Sequence, residues 1–250
     1  MFQLSEWMGV SSLVFWGDAK PVHKDAMSLD ISVEMISKEP SVRYRGFFIN
    51  DEWPCFGNWT FHHYGGFTAE MYDKVFELLL RLKGNYLWPA MWTSSFALDG
   101  PGAANEELAD IYGVIMGNSH HEPCLRAGEE WDIYRGADSV YGNDWNYVIN
   151  KEGLLRHWED GLKRSGKYEN ILTVGMRGER DSTMEGPKTL EEHIELLKDI
   201  IRNQKCLINR CVQRENGNVP MLLAVYKEVE EYFYGSKEIP GLKEWEGLSD

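Results

Sequence analysis

The sequence predicts an α/β fold in which a parallel sheet of short, buried strands is covered by helices. Runs of β-forming apolar residues alternate along the chain with stretches of helical periodicity. The runs are apolar throughout, so both faces of the sheet are covered. The segments between them are long enough to cross over and return each strand in the same direction.

Residues 1–42 read differently from the rest. A helix-like piece closes at 6–9, residues 13–16 are apolar, and 20–42 is irregular, with Pro and Lys. We assign 1–42 as the C-terminal remnant of an upstream domain with its linker, and 43–250 as the main domain. Its first strand is 44–49 (YRGFFI). Thr68 then caps a helix whose apolar residues Tyr72, Val75, Phe76, Leu79 and Leu82 recur on one face, with Gly84 as the stop. Residues 85–91 return to an extended pattern. A short helix over 103–112 ends at Gly113, and 114–116 is a buried strand. The stretch 119–150 is rich in Gly, Asp and aromatics and has no periodicity, which marks a functional loop or a small substructure. Asn150 caps a helix presenting Leu154, Leu155, Trp158 and Leu162. Residues 171–176 (ILTVGM) are a strand. Thr189 with Glu192 is a capping box opening a helix through Ile194, Leu197, Ile200 and Ile201. Residues 220–225 (PMLLAV) are the last strand, and 227–234 is a helix ended by Gly235.

Five strand–helix units fit either an open doubly wound sheet or the first part of a (β/α)8 TIM barrel, which needs eight strands over about 250 residues. The end at Asp250, soon after a helix, favours a partial barrel of about the first five units.

Acidic residues number 40 and basic residues 26 in a chain of 250, a formal charge of −14. That balance argues against nucleic acid and anionic membranes as partners. No apolar run approaches the ~20 residues of a membrane helix, and the start has no cationic, signal-like segment. Cys55, Cys124, Cys206 and Cys211 form no CxxC pair and read as free or buried thiols, with a Cys206–Cys211 disulfide as the alternative, awkward in a helical turn. Aromatics are abundant (10 Trp, 12 Tyr, 10 Phe), and many stand beside carboxylates, as at Glu52 with Trp53 and Glu130 with Trp131. Flat rings beside hydrogen-bond acceptors suit a carbohydrate, although Trp also fills cores.

Chemistry-bearing residues follow each strand. They are Asn50, Asp51 and Glu52; then Trp92, Thr93 and Ser94; then Asn118, Ser119, His120, His121 and Glu122; then Arg177, Glu179, Arg180 and Asp181; then Tyr226, Lys227 and Glu228. In a parallel sheet all strand C-termini share one edge, so these clusters converge there. Glycosidic bond hydrolysis needs paired carboxylates, one as acid and one as base. Asp51, Glu52, Glu122, Glu179, Asp181 and Glu228 are the candidates. A metal-dependent hydrolase holding an ion through His120, His121 and Glu122 beside Asp181 is an alternative, though adjacent histidines are poor joint ligands. A non-catalytic carbohydrate-binding remnant is another.

The phrases INDEWP (49–54), FELLLRLKGNYLWPAMW (76–92), GNSHHEP (117–123), TVGMRGERD (173–181) and YKEV (226–229) resemble glycoside hydrolase family 115, and its eukaryotic branch in particular. The similarity runs from about Leu4 to Gly235. It implies removal of glucuronic or 4-O-methylglucuronic acid linked α-1,2 to xylose in glucuronoxylan, with inversion, by a TIM-barrel domain behind an N-terminal α/β domain. No cofactor or metal is implied. The family's later Asp-Asp-Asn segment has no counterpart before Asp250, so the chain reads as a fragment that need not be active alone, of an enzyme expected to be secreted. The resemblance favours Glu179 or Asp181 on one side of the scissile bond and Glu228 on the other. A substrate carboxylate calls for Arg177, with Lys227 second, and orienting a catalytic carboxylate is the other role open to Arg177. Asn50, Asp51, Glu52, His120, His121 and Glu122 remain substrate-binding candidates, with Tyr226 and Trp92 as stacking walls.

Overall fold

In a computed structural model, the structure describes residues 2–17, 20–28, 30, 34, 36–50, 53–214 and 219–238. Five strands form one sheet: β1 (Gly46–Phe48), β2 (Tyr86–Trp88), β3 (Ile115–Gly117), β4 (Asn170–Thr173) and β5 (Met221–Leu222). Every pairing is parallel and the spatial order follows the chain, β1-β2-β3-β4-β5. Parallel crossovers are right-handed. With strands in chain order, successive crossovers therefore fall on one face, as in a barrel wall. A doubly wound sheet would reverse its strand order. The fold is an arc of a (β/α)8 barrel.

The helices are α1 (Phe2–Trp7), α2 (Cys55–Tyr64), α3 (Ala69–Arg81), α4 (Phe96–Asp99), α5 (Ala104–Tyr112), α6 (Gly128–Tyr134), α7 (Lys151–Ser165), α8 (Leu190–Cys211) and α9 (Glu228–Glu238). In α3 the residues Met71, Tyr72, Val75, Phe76 and Leu79 are buried, one apolar face at helical spacing. They pack with Leu87, Val114 and Met116 of the sheet side. A second core gathers Leu154, Trp158 and Leu162 of α7, Leu172 of β4, and Ile194, Leu197, Ile200 and Ile208 of α8. Gly113 ends α5 in the left-handed conformation, φ 65°, where an L side chain is strained. At Gly46 a Cβ would run into the Tyr86 carbonyl oxygen across the β1–β2 pair, so the close approach of these strands needs glycine.

The capping box is present: the Thr189 hydroxyl accepts from the Glu192 amide at 3.2 Å, and the Glu192 carboxylate accepts from the Thr189 amide at 3.4 Å. Asn150 stands at the start of α7 but does not cap with its side chain. Its amide donates instead to the carbonyls of Tyr141 and Asp144, both at 2.9 Å, and ties down the preceding loop.

The structure adds α2, α4 and α6 to the expected elements. Only Gly57 and Thr60 of α2 are fully buried, so no apolar stripe announces it. The final helix runs through Gly235 instead of stopping there. The segment before β1 touches the arc: Arg81 donates to the Ser5 hydroxyl at 2.9 Å, and Trp16 packs on Phe56 and Trp59. Among the described residues no helix is long and apolar enough to cross a membrane, and all four cysteines are free thiols.

Candidate active site

The strand C-termini share one edge, and the loops leaving β3, β4 and β5 meet there. Arg177, just past β4, is almost wholly buried (2% exposed). Its guanidinium forks onto Glu228 at the start of α9, Nε to Oε1 at 2.9 Å and Nη2 to Oε2 at 2.6 Å. Its Nη1 lies against Asp181. Asp181 also accepts from Lys227 Nζ at 3.0 Å and from His120 Nε2 at 2.7 Å. Five residues from three loops thus make one hydrogen-bonded cluster.

Burial, then the charges of Arg177 and Lys227, push the His120 pKa down to about 4. A carboxylate at 2.7 Å works the other way, but Asp181 is already matched by two cations. His120 is therefore neutral at neutral pH. The network assigns its tautomer: Nε2–H donates to Asp181, and Nδ1 accepts from the Ser119 hydroxyl at 2.8 Å. Tyr226 stands edge-on to the His120 ring, 4.6 Å between centroids, and is half exposed. Both cations lie over its face, Arg177 at 5.7 Å and Lys227 at 5.3 Å.

His120 and His121 lie in a turn, not an extended segment, so their rings stay close, 4.9 Å between centroids. His121 is buried and stacks on Trp92, 5.1 Å apart at 21°. Burial, then the charges around it, depress its pKa to about 3. Glu122 is buried, and burial raises its pKa to about 7. Its carboxylate accepts from the amides of Ser119 at 3.2 Å and Gly128 at 3.0 Å, joining the β3 loop to α6. Glu179 is separate from the cluster and half exposed, and accepts from Arg135 at 2.7 Å. Asn50 is exposed on the same edge. Asp51 and Glu52 lie outside the described residues.

The rim is backbone-strained. Thr93, Arg180, Asp181 and Lys227 have φ of 56°, 52°, 64° and 51°, a left-handed conformation that costs about 1–3 kcal/mol at each non-glycine residue. Strain of this kind collects where side chains must be aimed. The donor atoms of His120, His121 and Asp181 lie within 4.8 Å of one another, close enough for a metal ion. Arg177 and Lys227 already take the charge of Asp181, however, and an added cation would be repelled by both.

Behind the rim lies an ion network that the sequence reading did not single out. Glu130, wholly buried, accepts from Arg126 at 2.5 Å and from Arg164 at 2.7 and 3.0 Å. Burial alone would raise its pKa, but the two guanidinium groups hold it below the usual carboxylate value. The signal was present as Arg126 and Glu130 at helical spacing beside Trp131.

A parallel barrel arc with clustered carboxylates and a cation at its strand C-termini is the layout of a barrel hydrolase. The glycosyl hydrolase family 115 model matches residues 37–243, and the chain belongs to that family. A search of curated proteins finds no match. Among solved structures, one described as a novel family GH115 4-O-methyl-alpha-glucuronidase, BtGH115A, with specificity for decorated arabinogalactans, is similar to it. That likeness has 33% identity and a TM-score of 0.81 over 96% of this chain, which spans 31% of the length of that protein.

Proposed function

We propose that this chain carries the acidic strand-end site of an α-glucuronidase, which removes glucuronic or 4-O-methylglucuronic acid linked α-1,2 to xylose in glucuronoxylan. The observation that supports this most is the placement of Asp181 and Glu228 on either side of one buried guanidinium, beside the half-exposed Lys227 and Tyr226. Asp181 and Glu228 form the reacting pair, one protonating the leaving oxygen and the other activating water for inversion. Glu179 stands nearby on the same loop. Arg177 is engaged by both carboxylates and orients them. Lys227, half exposed while it also bonds Asp181, is the cation placed to meet the uronate, and Tyr226 gives the sugar a ring to stack on. His120, neutral and held by Ser119, fixes Asp181. His121 and Trp92 form the wall next to it, and Asn50 and Glu122 belong to the same substrate-facing edge or its support.

A second reading has one observation in its favour, the approach of His120, His121 and Asp181. It makes the site metal-dependent, and stoichiometric metal in the purified chain would support it.

The test is release of methylglucuronic acid from glucuronoxylan, followed by NMR so that the anomer first formed is seen. In an intact enzyme context this site is expected to release the inverted anomer, and Glu228→Gln to slow release by about 100-fold or more. Wild-type rates in the variant would remove Glu228 from the reaction. Retention of configuration would overturn the reading.

A further inference from the structure

The fork of Arg177 is only as well aimed as the backbone that carries it. Arg177 leads from β4 into a loop that closes on itself. The Gly178 amide donates to the Ser182 carbonyl at 2.7 Å, and the Ser182 hydroxyl donates to the Glu179 carbonyl at 2.8 Å. A Cβ at Gly178 would run into the Thr183 carbonyl, and Arg180 and Asp181 are left-handed, so the loop is tight. Its orientation against the sheet is therefore set at its entry, the peptide between Arg177 and Gly178. That peptide plane is held at both ends. Its N–H is the one given to Ser182, and its carbonyl accepts from the Trp145 indole N–H at 2.9 Å.

Trp145 comes from the long aperiodic stretch, 32 residues earlier in the chain. It is itself fixed. Its ring packs on the second core, edge-on to Trp131 at 5.1 Å and to Trp158 at 6.4 Å. The Asn150 amide donates to the Asp144 carbonyl, on the peptide that enters Trp145, at 2.9 Å. Among the described residues the indole N–H groups of Trp131 and Trp158 have no hydrogen-bond partner. In this cluster of three indoles, the N–H that is used is the one directed at Arg177. A phenyl ring at 145 would fill the core but would leave that carbonyl without its donor.

We infer that Trp145 is a positioning residue for the reaction. It fixes the main chain of Arg177, and through it the guanidinium that spans Asp181 and Glu228. The separation of the two carboxylates decides whether water fits between base and sugar, so a small displacement of Arg177 acts on the rate. This role rests on the α-glucuronidase reading above.

Trp145→Phe keeps a packing ring and removes the N–H. In an intact enzyme context its kcat on glucuronoxylan is expected to fall about 10- to 100-fold with KM unchanged, as when a contact that counts only in the transition state is lost. Trp158→Phe takes an unpaired N–H from the same core and is expected to keep the wild-type kcat per folded molecule. A loss of folded enzyme would lower the rate by the same factor in every background, whereas Trp145→Phe is expected to add nothing once Arg177→Lys is present. A wild-type kcat in Trp145→Phe, or losses that multiply with those of Arg177→Lys, would overturn the role. A second measurement needs no activity. In the 250-residue chain the Arg177 Nε–H proton, identified in NMR spectra by its absence from Arg177→Lys, is expected to exchange with solvent faster in Trp145→Phe and at the wild-type rate in Trp158→Phe. Equal rates in all three would also overturn it. A thermal melt accompanies each variant, and Trp145→Met is read in the same way if Trp145→Phe does not fold. An intact enzyme inactive before any mutation would instead remove the α-glucuronidase reading, and the exchange rates would still decide whether Trp145 holds Arg177.

Discussion

Glu122 and the buried histidines set opposite pH dependences. His120, His121 and His157 have folded pKa values depressed to about 4, 3 and 3 by burial and nearby cations. Unfolding restores them to about 6.5. Between pH 6.5 and their folded values the unfolded chain binds more protons, so stability falls as pH falls. Glu122 runs the other way. Its folded pKa of about 7 exceeds its ordinary value, so its contribution is complete at low pH and is lost as pH rises through 7. Glu122→Gln removes this opposing contribution. Melting temperature against pH between 4.5 and 6.5 is therefore expected to be steeper in Glu122→Gln than in the wild type. Equal slopes would show that Glu122 is not protonated there. At the same scale, Glu228→Gln must be read with a melt, because it takes one anion from a guanidinium that is 2% exposed. Asp181 still faces that charge, so the cost is expected to be about 1–3 kcal/mol and not a loss of the fold.

Two elements give sharp tests of how the scaffold is held. Thr189→Ala removes the hydroxyl that accepts from Glu192 at the start of α8 and is expected to cost about 1 kcal/mol in denaturant unfolding. No change would mean that the 22-residue helix is fixed by its packing alone. Gly46→Ala places a methyl against the Tyr86 carbonyl and is expected to cost about 1–3 kcal/mol. A wild-type melt in that variant would show that the β1–β2 pair can spread. Elements with strong local signals were legible in the sequence: the apolar stripe of α3, the capping box of α8, the glycine stop of α5. Of the helices that were not legible (α2, α4 and α6), α2 and α6 are formed by context. In α2 aromatic residues lie on several sides, with Gly57 and Thr60 as its fully buried residues. In α6 the buried residues are Glu130 and Trp131, and a buried glutamate is visible only once Arg126 and Arg164 are seen to meet it.

At the scale of the whole molecule, strand order carries the site. Short apolar runs alternating with helices implied a parallel sheet, and that implied a shared edge for the polar residues after each run. The order β1-β2-β3-β4-β5 selects the barrel arc over the doubly wound sheet. The convergence of His120, Arg177, Asp181, Lys227 and Glu228 was therefore readable before any coordinates. Their pairings were not. Arg177 was open to two roles, meeting the substrate carboxylate or orienting a catalytic one, and its fork lies between Asp181 and Glu228. Burial and left-handed backbone at Asp181 and Lys227 decide that, and neither is written in residue type. A crystal of the chain soaked with 4-O-methylglucuronic acid addresses this edge most directly. The acid is expected at the C-terminal ends of β3, β4 and β5, its carboxylate on Lys227 and its ring beside Tyr226. Density at the opposite ends of the strands, or a uronate seated away from Lys227 and Asp181, would contradict it.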